Sequence, residues 1–188
     1  MAGGLPHAAD AGPPSAWVQR HAGLLKPAAR VLDVACGSGR HMHWLAGLGC
    51  RMTGVDRDAQ ALAGLVGVGE IVRADIEGGP WPFAGRQFDG VVVTNYLWRA
   101  LLPVLRQALA PGGVLLYETF AHGHQTVGRP SRPDFLLQPG ELLRAFGDLR
   151  VVAYEDGFEP AGPRFVQRLA AVNVAADAEP PPRHELAP

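Results

Sequence analysis

The chain has 188 residues, of which 47% are hydrophobic and 19% are charged. This length suits one α/β domain with a buried core and is short for two domains. The net charge is −1 and Lys26 is the single lysine, so the chain lacks the basic clusters of proteins that bind duplex nucleic acid. Two cysteines without CxxC spacing exclude a disulfide framework and favour a reduced, cytoplasmic protein.

Both ends of the chain are rich in glycine, alanine and proline. This composition predicts a flexible segment over residues 1–14 and a disordered, proline-rich tail over residues 177–188, with one domain between them at residues 15–176. The N-terminus has no charged stretch followed by an apolar run, and no window of about 18 apolar residues occurs. We therefore expect no signal peptide and no membrane partner.

Short β-branched runs alternate with helical stretches through most of the chain, which predicts a parallel sheet covered on both faces. The strands predicted in this part lie over residues 30–35, 51–55, 71–73, 88–94 and 114–120. The helices predicted between them lie over residues 40–48, 59–65, where Asp58 suits the N-cap, and 103–110.

The C-terminal part of the domain departs from this alternation. A long polar loop over residues 121–132 leads to a helix that begins at Pro139 and ends at Gly147, and two strands follow at residues 150–154 and 165–174. The ten residues between these strands are too few for a parallel crossover, so the last pair is predicted to be antiparallel. The sheet of an ordinary nucleotide-dependent dehydrogenase does not end in such an antiparallel pair of strands.

The segment VLDVACGSGRH, residues 31–41, joins the first strand directly to a helix. Gly37 and Gly39 allow the backbone of this turn to approach a ligand closely, as in sites for NAD, FAD and S-adenosylmethionine (SAM). Met42 replaces the third glycine of the dinucleotide fingerprint. Asp33 would repel a pyrophosphate, whereas its carboxylate suits the ammonium of an amino acid. Both details favour SAM.

Acidic residues also follow the second and third strands. Asp56 stands where a ribose-binding carboxylate belongs in a nucleoside site, although it could instead only cap the region of Asp58. Asp75 could lie beside the adenine amino group, with Ala74 and Ile76 supplying backbone and apolar contacts. The alternative for Asp75 is an ordinary acid in a loop.

Ligands of open α/β sheets bind at the carboxyl ends of the strands. We therefore expect the residues that bind the substrate to lie directly after the fourth and fifth strands. Tyr96 is a candidate for contact with the positively charged sulfur of SAM, because an electron-rich ring attracts a cation. Possible bases are Glu118, His122 and His124, and none of the three is singled out as catalytic. His41 and His43 point in different directions on a helix, and no cluster has the spacing of a metal site.

Trp98 and Arg99 are further candidates for contact with the substrate, although Trp98 could equally be a helix-packing aromatic. In the loop after the fifth strand, Arg129 and Arg132 could hold a carboxylate, phosphate or oxyanion, which predicts an anionic or strongly polar substrate. The alternative is a solvated loop whose arginines pair with Glu141 or with C-terminal acids.

The motifs VLDVACGSGRH, TGVDRD, ADIE, FDGVVVTNYL and LAPGGVLLYETF, in this order, resemble those of class I SAM-dependent methyltransferases over residues 17–174. Within that superfamily the chain looks most like the small bacterial tellurite-resistance and thiopurine methyltransferases. The resemblance implies SAM as cofactor and a Rossmann-like three-layer sandwich, with a seven-stranded, mostly parallel sheet of order 3-2-1-4-5-7-6. It implies these cofactor contacts: Asp33, Gly37, Ser38 and Gly39 to the methionine part, Asp56 to the ribose, Asp75 and Ile76 to adenine, and Thr94 and Asn95 from the fourth strand.

The resemblance predicts transfer of a methyl group from SAM to a small-molecule nucleophile, at sulfur, selenium, tellurium or oxygen, by in-line displacement. The residues after the fourth strand, Thr94-Asn95-Tyr96-Leu97, lack the Pro-Pro-aromatic signature of DNA amino-methylating enzymes. No cysteine follows the fourth or fifth strand, which excludes the 5-methylcytosine mechanism. Two alternatives are a SAM-binding regulator without turnover and a nucleotide-binding module like those of dehydrogenases. The sequence indicates no oligomeric state.

Overall fold

The computed structural model describes residues 12–174 and 183–184, so most of the two terminal segments predicted above lies outside the described residues. The strands are β1 (Arg30–Val34), β2 (Arg51–Asp56), β3 (Gly69–Arg73), β4 (Phe88–Thr94), β5 (Leu109–Phe120), β6 (Arg150–Glu159) and β7 (Arg164–Val172). The α-helices are α1 (Ala16–His21), α2 (Arg40–Gly47), α3 (Ala59–Leu62), α4 (Leu102–Gln107) and α5 (Glu141–Ala145). Short 3-10 turns lie at Ala22–Leu24, Ala63–Leu65, Arg99–Leu101, His124–Thr126 and Pro133–Phe135.

All seven strands form one sheet in the order β3-β2-β1-β4-β5-β7-β6, which confirms the predicted order. The pairs among β1 to β5 are parallel, whereas β7 runs antiparallel to both β5 and β6. The central strands β1 and β4 are buried over nearly their whole length, as expected of parallel strands that are covered on both faces.

Two apolar cores lie on opposite faces of the sheet, which makes the three-layer sandwich. One core contains residues of α4 and α5, and the other contains residues of α1, α2 and α3. Successive strand residues alternate between them, so that Leu32 packs in the first core and Val31 in the second.

The terminal hairpin is longer than predicted. β6 continues to Glu159 instead of ending at residue 154, and the added residues pair with the beginning of β7. Glu155 lies opposite Arg168, and such cross-strand ion pairs support a polar strand that its composition alone does not predict. Because the last residue of β5, Phe120, pairs with Val166, the hairpin extends past the carboxyl end of β5.

Other boundaries also differ from the prediction, and the largest differences lie around β5 and α5. α4 ends at Gln107 and β5 begins at Leu109, which pairs with Phe88 before an irregularity in the register. The Pro-Gly-Gly at residues 111–113 therefore lies within the strand, at the irregularity in its pairing with β4, and does not precede the strand. α5 is confined to Glu141–Ala145, because Gly140 before it adopts a left-handed conformation with φ +68°.

The first helix docks firmly on the sheet. The Ser15 hydroxyl caps α1 by accepting the N–H of Trp17. Trp17 is only 2% exposed, and its indole N–H donates to the carbonyl of Leu169 in β7. Trp17 thus anchors the N-terminal segment beside the carboxyl edge of the sheet.

Candidate active site

The turn between β1 and α2 lies at the carboxyl edge of the sheet. Ala35, Gly37 and Gly39 all have positive φ, at 53°, 53° and 75°. A Cβ added to Gly37 would meet no protein atom within 4 Å, whereas one added to Gly39 would lie 2.3 Å from Cδ2 of the buried Leu65. The two glycines therefore have different purposes: Gly37 leaves space above the turn, and Gly39 allows α2 to pack.

Asp56, at the end of β2, holds this turn in place. One carboxylate oxygen accepts the N–H of Gly37 at 2.9 Å, and the other accepts the N–H of Asp58 at 2.9 Å. Asp58 in turn caps α3 through the N–H groups of Gln60 and Ala61. The capping role considered for Asp56 is thus present, and each of its oxygens keeps a further lone pair for a ligand.

A pocket of about 190 Å³ opens beside Asp56. It brings together five of the residues selected from the sequence, although they come from three separate segments: Asp56, Ala74, Asp75, Ile76 and Tyr96. The residues that line it are Ala35, Asp56, Arg57, Ala74, Asp75, Ile76, Glu77 and Tyr96. Ala35, Arg57 and Glu77 were not selected from the sequence, and their only signal is that each lies within one of the quoted motifs.

The segment after β3 lines part of this pocket. One oxygen of Asp75 accepts the N–H groups of Glu77 and Gly78, and these hydrogen bonds lower the pKa of Asp75. The other oxygen stays available, while the neighbouring Ile76 is 7% exposed and packs in the core. The arrangement places an ionised carboxylate and an apolar side chain next to each other.

Tyr96 lies on this pocket, where Asp75 and Glu77 are its neighbours. Its hydroxyl is buried without a hydrogen-bond partner among the described residues. Burial, followed by the charge of Glu77, raises the pKa of Tyr96, so the phenol is protonated at neutral pH. Its carbonyl accepts the hydroxyl of the buried Tyr117 at 3.0 Å, which holds the end of β4 against β5.

A buried polar group lies under the turn. Asp33 is 1% exposed, and its Oδ2 finds no donor among the described residues. Burial raises the pKa of Asp33 to about 7, although Arg40 opposes the shift. Nδ1 of His41 lies 3.9 Å from this oxygen.

His41 links this group to the N-terminal segment. Its Nε2 accepts the backbone N–H of Ser15 at 3.1 Å, which places the proton of the neutral ring on Nδ1, toward Asp33. Burial, followed by the charge of Arg40, lowers the pKa of His41 to about 4. The sequence did not select His41, because a lone histidine on a helix carries no local signal of its partner.

Thr94, the last residue of β4, contacts the first residue of α2, and Asn95 follows it with its backbone N–H donated to the carbonyl of Glu118. Nη2 of Arg40 is 3.4 Å from the Thr94 hydroxyl, and Nη1 is 3.4 Å from the carbonyl of Pro13. Asn95 has a left-handed backbone with φ +54° and an exposed side chain.

Glu118, the acid at the end of β5, is engaged in structural contacts. It is 1% exposed, accepts the Ser15 hydroxyl at 3.0 Å and forms ion pairs with Arg164 and Arg168. Arg168 pairs in addition with Glu155 in β6. These contacts favour a structural role for Glu118 over that of a base.

The two histidines of the loop after β5 differ in exposure. His122 is exposed, and its backbone N–H donates to the carbonyl of Leu137. His124 is 4% exposed, stacks on Phe120 and has its Nε2 at 3.0 Å from the carbonyl of Arg129. Of the two, only His122 is accessible.

The three arginines selected as candidate substrate contacts differ in their partners. Arg99 forms an ion pair with Glu141 and donates to the carbonyls of Asp134 and Leu136, so it ties the segment after β4 to the segment before α5. Arg132 pairs with Asp134 at 2.6 Å. Arg129 is exposed, with no ion pair to the described residues. The pairing considered between the loop arginines and Glu141 is made by Arg99. Trp98, next to Arg99, is 37% exposed.

Within residues 12–174 and 183–184, no three His, Cys, Asp or Glu side chains are arranged to hold a metal ion. In the same part of the chain, no helix has the length and apolar character needed to span a membrane.

Comparisons with known proteins agree with this geometry. Residues 31–113 match the family described as "Methyltransferase domain". The chain is 37% identical over 102 residues to malonyl-[acyl-carrier protein] O-methyltransferase of Enterobacter lignolyticus, a match that covers 50% of this chain and 39% of that protein. The chain thus spans less than half the length of this curated relative.

Solved structures share the fold. TehB from Haemophilus influenzae superposes with a TM-score of 0.68 at 21% identity, over 83% of this chain and 61% of TehB. The glycopeptide N-methyltransferase MtfA, solved in complex with S-adenosylhomocysteine (SAH), superposes with a TM-score of 0.58 at 20% identity, over 83% of this chain and 88% of MtfA.

The sheet order, the antiparallel β5-β7-β6 end and the glycine turn after β1 define a class I methyltransferase fold. Residues 31–113, which match the methyltransferase domain, contain the first four strands of this fold, and TehB shares the fold as a whole. The antiparallel end of the sheet contradicts the alternative of a dehydrogenase-like module.

Proposed function

We propose that the protein is an enzyme that transfers a methyl group from SAM to a small-molecule nucleophile, at sulfur, selenium, tellurium or oxygen. The observation that carries the proposal is the pocket between Asp56, Asp75, Ile76 and Tyr96, which adjoins the open turn at Gly37. A pocket and turn of this kind at the carboxyl edge of an α/β sheet suit a nucleoside that carries a further polar group.

The residues present fit SAM by their chemistry. Asp56 has free lone pairs for the two ribose hydroxyls, and Asp75 and Ile76 offer an acceptor and an apolar contact to adenine. The oxygen of Asp33 that lacks a donor suits the ammonium of the methionine part. Gly37, Ser38 and Gly39 let the backbone approach, and Thr94 and Asn95 close the site from β4. When bound, SAM supplies a methyl group on a cationic sulfur.

The residues of the chain contribute to the reaction mainly by orienting the methyl donor and the acceptor. Holding two reactants in line can lower a barrier by about 7–11 kcal/mol, and thiol or selenol acceptors need little more than deprotonation. Glu118 and His124 are held by structural contacts, so His122 is the candidate base that remains accessible. The buried, protonated phenol of Tyr96 acts as a wall and not as a base.

A small acceptor is proposed because the net charge is −1 and the described surface offers no cluster of lysines for a polyanion. TehB and MtfA, which share the fold, have 21% and 20% identity to the chain, so neither specifies the acceptor. A cytoplasmic location accompanies this proposal, on the basis of the two free cysteines.

The experiment combines binding and turnover. Titration calorimetry with SAH tests the cofactor, and labelled SAM is then presented with small thiols, chalcogen oxyanions, phenols and tRNA. Methylation of a small acceptor is the expected result. Failure to bind SAH would contradict the proposal. Binding of SAH without turnover on any acceptor would favour the alternative of a regulator.

A further inference from the structure

The strand β6 (Arg150–Glu159) lies at one end of the sheet, and its outer side is free. Only β7 pairs with it. Apart from the ladder with β7, no backbone N–H or carbonyl of β6 forms a hydrogen bond with the backbone of another described residue. The outer row of donors and acceptors is therefore open along the whole strand, and such a row is a template for a further strand.

The two edge strands of the sheet differ in length and in exposed side chains. β3 has five residues, and its exposed side chains include the charged Glu70 and Arg73. Short strands and charged side chains limit pairing between edges. β6 has ten residues, and two of its apolar side chains are exposed, Val151 at 36% and Phe158 at 48%. An apolar and unpaired edge of this length indicates an interface.

β6 contains an irregularity near its beginning. Val151 lies opposite Ala171 in β7, and Ala153 lies opposite the next residue of β7, Ala170. Val152 is therefore an extra residue, a β-bulge. Side chains alternate between the two faces along a regular strand, and the bulge shifts this alternation by one residue.

The shift decides which side chains of β6 share a face of the sheet. Val151 and Phe158 are an odd number of residues apart, so a regular strand would direct them to opposite faces. With the bulge between them they share a face, and both lie opposite residues of β7 that contact the same core. By the same count, Arg150 and Glu159 share the other face.

We propose that β6 pairs antiparallel with β6 of a second copy of this chain, which makes one continuous sheet across two subunits. The strand is symmetric about Glu155 when the bulge residue Val152 is left out, because four paired positions then lie on each side of Glu155. A two-fold axis at Glu155 places Arg150 opposite Glu159 of the partner subunit. In the same register, Val151 lies opposite Phe158 of the partner subunit.

This register matches charge with charge and apolar surface with apolar surface. Arg150 is exposed and has no ion pair with the described residues, so Glu159 of the partner subunit supplies it with a carboxylate. The pair of Val151 and Phe158 covers the two exposed apolar side chains of the strand. Each contact occurs twice, because a two-fold interface uses the same surface of both subunits. A strand that is complementary to itself in this way fits a second copy of the same chain.

The two copies of Glu155 face each other at the axis. Like charges directly opposite each other destabilise a pair of strands. Glu155, however, forms ion pairs with both Arg20 and Arg168, each at 2.8 Å. Two arginines therefore balance this carboxylate within each subunit, which reduces the repulsion at the axis.

Sedimentation equilibrium of the full chain between about 1 and 200 µM measures the dissociation constant of the dimer. The variants are Val151→Lys, which introduces a side chain typical of protected edges, and Arg150→Glu, which opposes two carboxylates. Val66→Lys is the matched control, because Val66 is 88% exposed and lies before β3, away from β6. Thermal denaturation checks that each variant is folded.

We expect a dimer for the wild type and for Val66→Lys. Each of the β6 variants should raise the dissociation constant at least about tenfold, since every substitution acts twice in the interface. A wild-type protein that is monomeric over the whole concentration range would overturn the inference. A dimer that both β6 variants leave unchanged would overturn it as well.

Oxidative cross-linking tests the register. The axis places the two copies of position 155 side by side, so Glu155→Cys should form a disulfide between subunits, whereas Val66→Cys and the wild type should not. A dimer in which Glu155→Cys is not cross-linked would contradict the proposed pairing. Hydrogen exchange tests another occupant: slow exchange of the β6 amides in a monomer would assign the edge to another segment of the same chain and overturn the inference.

The inference does not depend on the proposed function, since none of these measurements needs SAM or an acceptor. A monomer that binds SAH contradicts the pairing of β6 and leaves the proposed function intact. A dimer that fails to bind SAH contradicts the proposed function and leaves the pairing intact.

Discussion

The two halves of the carboxyl edge use charged residues in opposite ways. On the proposed cofactor side, formed by the ends of β1, β2 and β3, Asp33 and Arg40 have no close partner of opposite charge among the described residues. On the proposed acceptor side, formed by the segments after β4 and β5 and by the β6-β7 hairpin, Arg99 and Glu118 are fully engaged with other residues. A buried polar group without a partner is a candidate contact for a ligand, whereas the paired charges of Arg99 and Glu118 hold segments in place.

The largest expected effect concerns Gly37 on the cofactor side. Gly37→Val adds a side chain into space that contains no protein atom, so it should abolish SAH binding while the protein still folds. Its φ of +53° makes the substitution strained, by about 1–2 kcal/mol. Calorimetry for binding and urea denaturation for stability separate the two effects.

Gly39→Ala is the matched control for this prediction. Its Cβ would collide with the fully buried Leu65, so this variant should lose stability more than Gly37→Ala does. A folded Gly37→Val protein that binds SAH normally would mean that the turn faces no ligand.

The next effect in size is that of Asp56→Ala. Loss of charge-assisted hydrogen bonds to the ribose should weaken SAM and SAH binding by about 1.5–3 kcal/mol. The substitution also frees the N–H groups of Gly37 and Asp58, so some of the loss comes from a looser turn. Asp56→Asn, which keeps one acceptor oxygen, should lie between the wild type and Asp56→Ala in calorimetry. Unchanged affinity in Asp56→Ala would remove this residue from the site.

The third prediction concerns the pH dependence of SAH binding. Burial raises the pKa of Asp33 to about 7, and only the ionised carboxylate attracts an ammonium. Affinity should therefore be constant above that pH and should fall about tenfold for each pH unit below it. The pKa of His41 is lowered to about 4, so His41 stays neutral over this range.

Asp33→Asn supplies the control for the pH profile. It should bind SAH weakly at every pH and show no slope between about pH 5.5 and 8. A wild-type profile that is flat over this range would exclude Asp33 as the partner of the ammonium.

A smaller effect is expected for Arg99, which connects the segment after β4 to the segment before α5. Arg99→Met removes the ion pair with Glu141 and two hydrogen bonds to backbone carbonyls. We expect a loss of about 1–2 kcal/mol of stability and a several-fold rise in the Michaelis constant of the acceptor, with SAH affinity unchanged. Glu141→Gln should reproduce part of the effect. Equal losses of SAH and acceptor binding would show that the two sides are not independent.

The grouping of three acidic residues at one edge of the sheet could be predicted from the sequence. Asp33 lies in β1, Asp56 ends β2 and Asp75 follows β3, and parallel pairing alone brings these strand ends to one edge. The sheet order came with the family resemblance, and the antiparallel end came from the short connection between the last two strands.

The acceptor side depends on contacts that a linear pattern does not contain. Arg99 and Glu141 are 42 positions apart, and Glu118 and Arg168 are 50 positions apart. The same holds for the contact of Ser15 with His41, at a separation of 26. Whether an acid is a free base or a partner of arginine depends on these pairings, so Glu118 and Arg99 were selected for roles that their contacts do not favour.

The smallest predicted effects lie in the loop after β5, where Arg129 and Arg132 were selected together as substrate contacts. The structure separates them, because Arg132 pairs with Asp134 and lies over the ring of Phe135, whereas Arg129 has no ion pair to the described residues. A free, exposed guanidinium can bind an anionic acceptor without giving up another contact, whereas Arg132 must first leave Asp134. Arg129→Ala should therefore raise the Michaelis constant of an anionic acceptor by a few fold, and Arg132→Ala should change it less. Steady-state kinetics at low and high salt checks this, since screening should shrink the effect of Arg129. Equal effects of the two substitutions would contradict the distinction, and wild-type kinetics in both would leave the loop as a connection only.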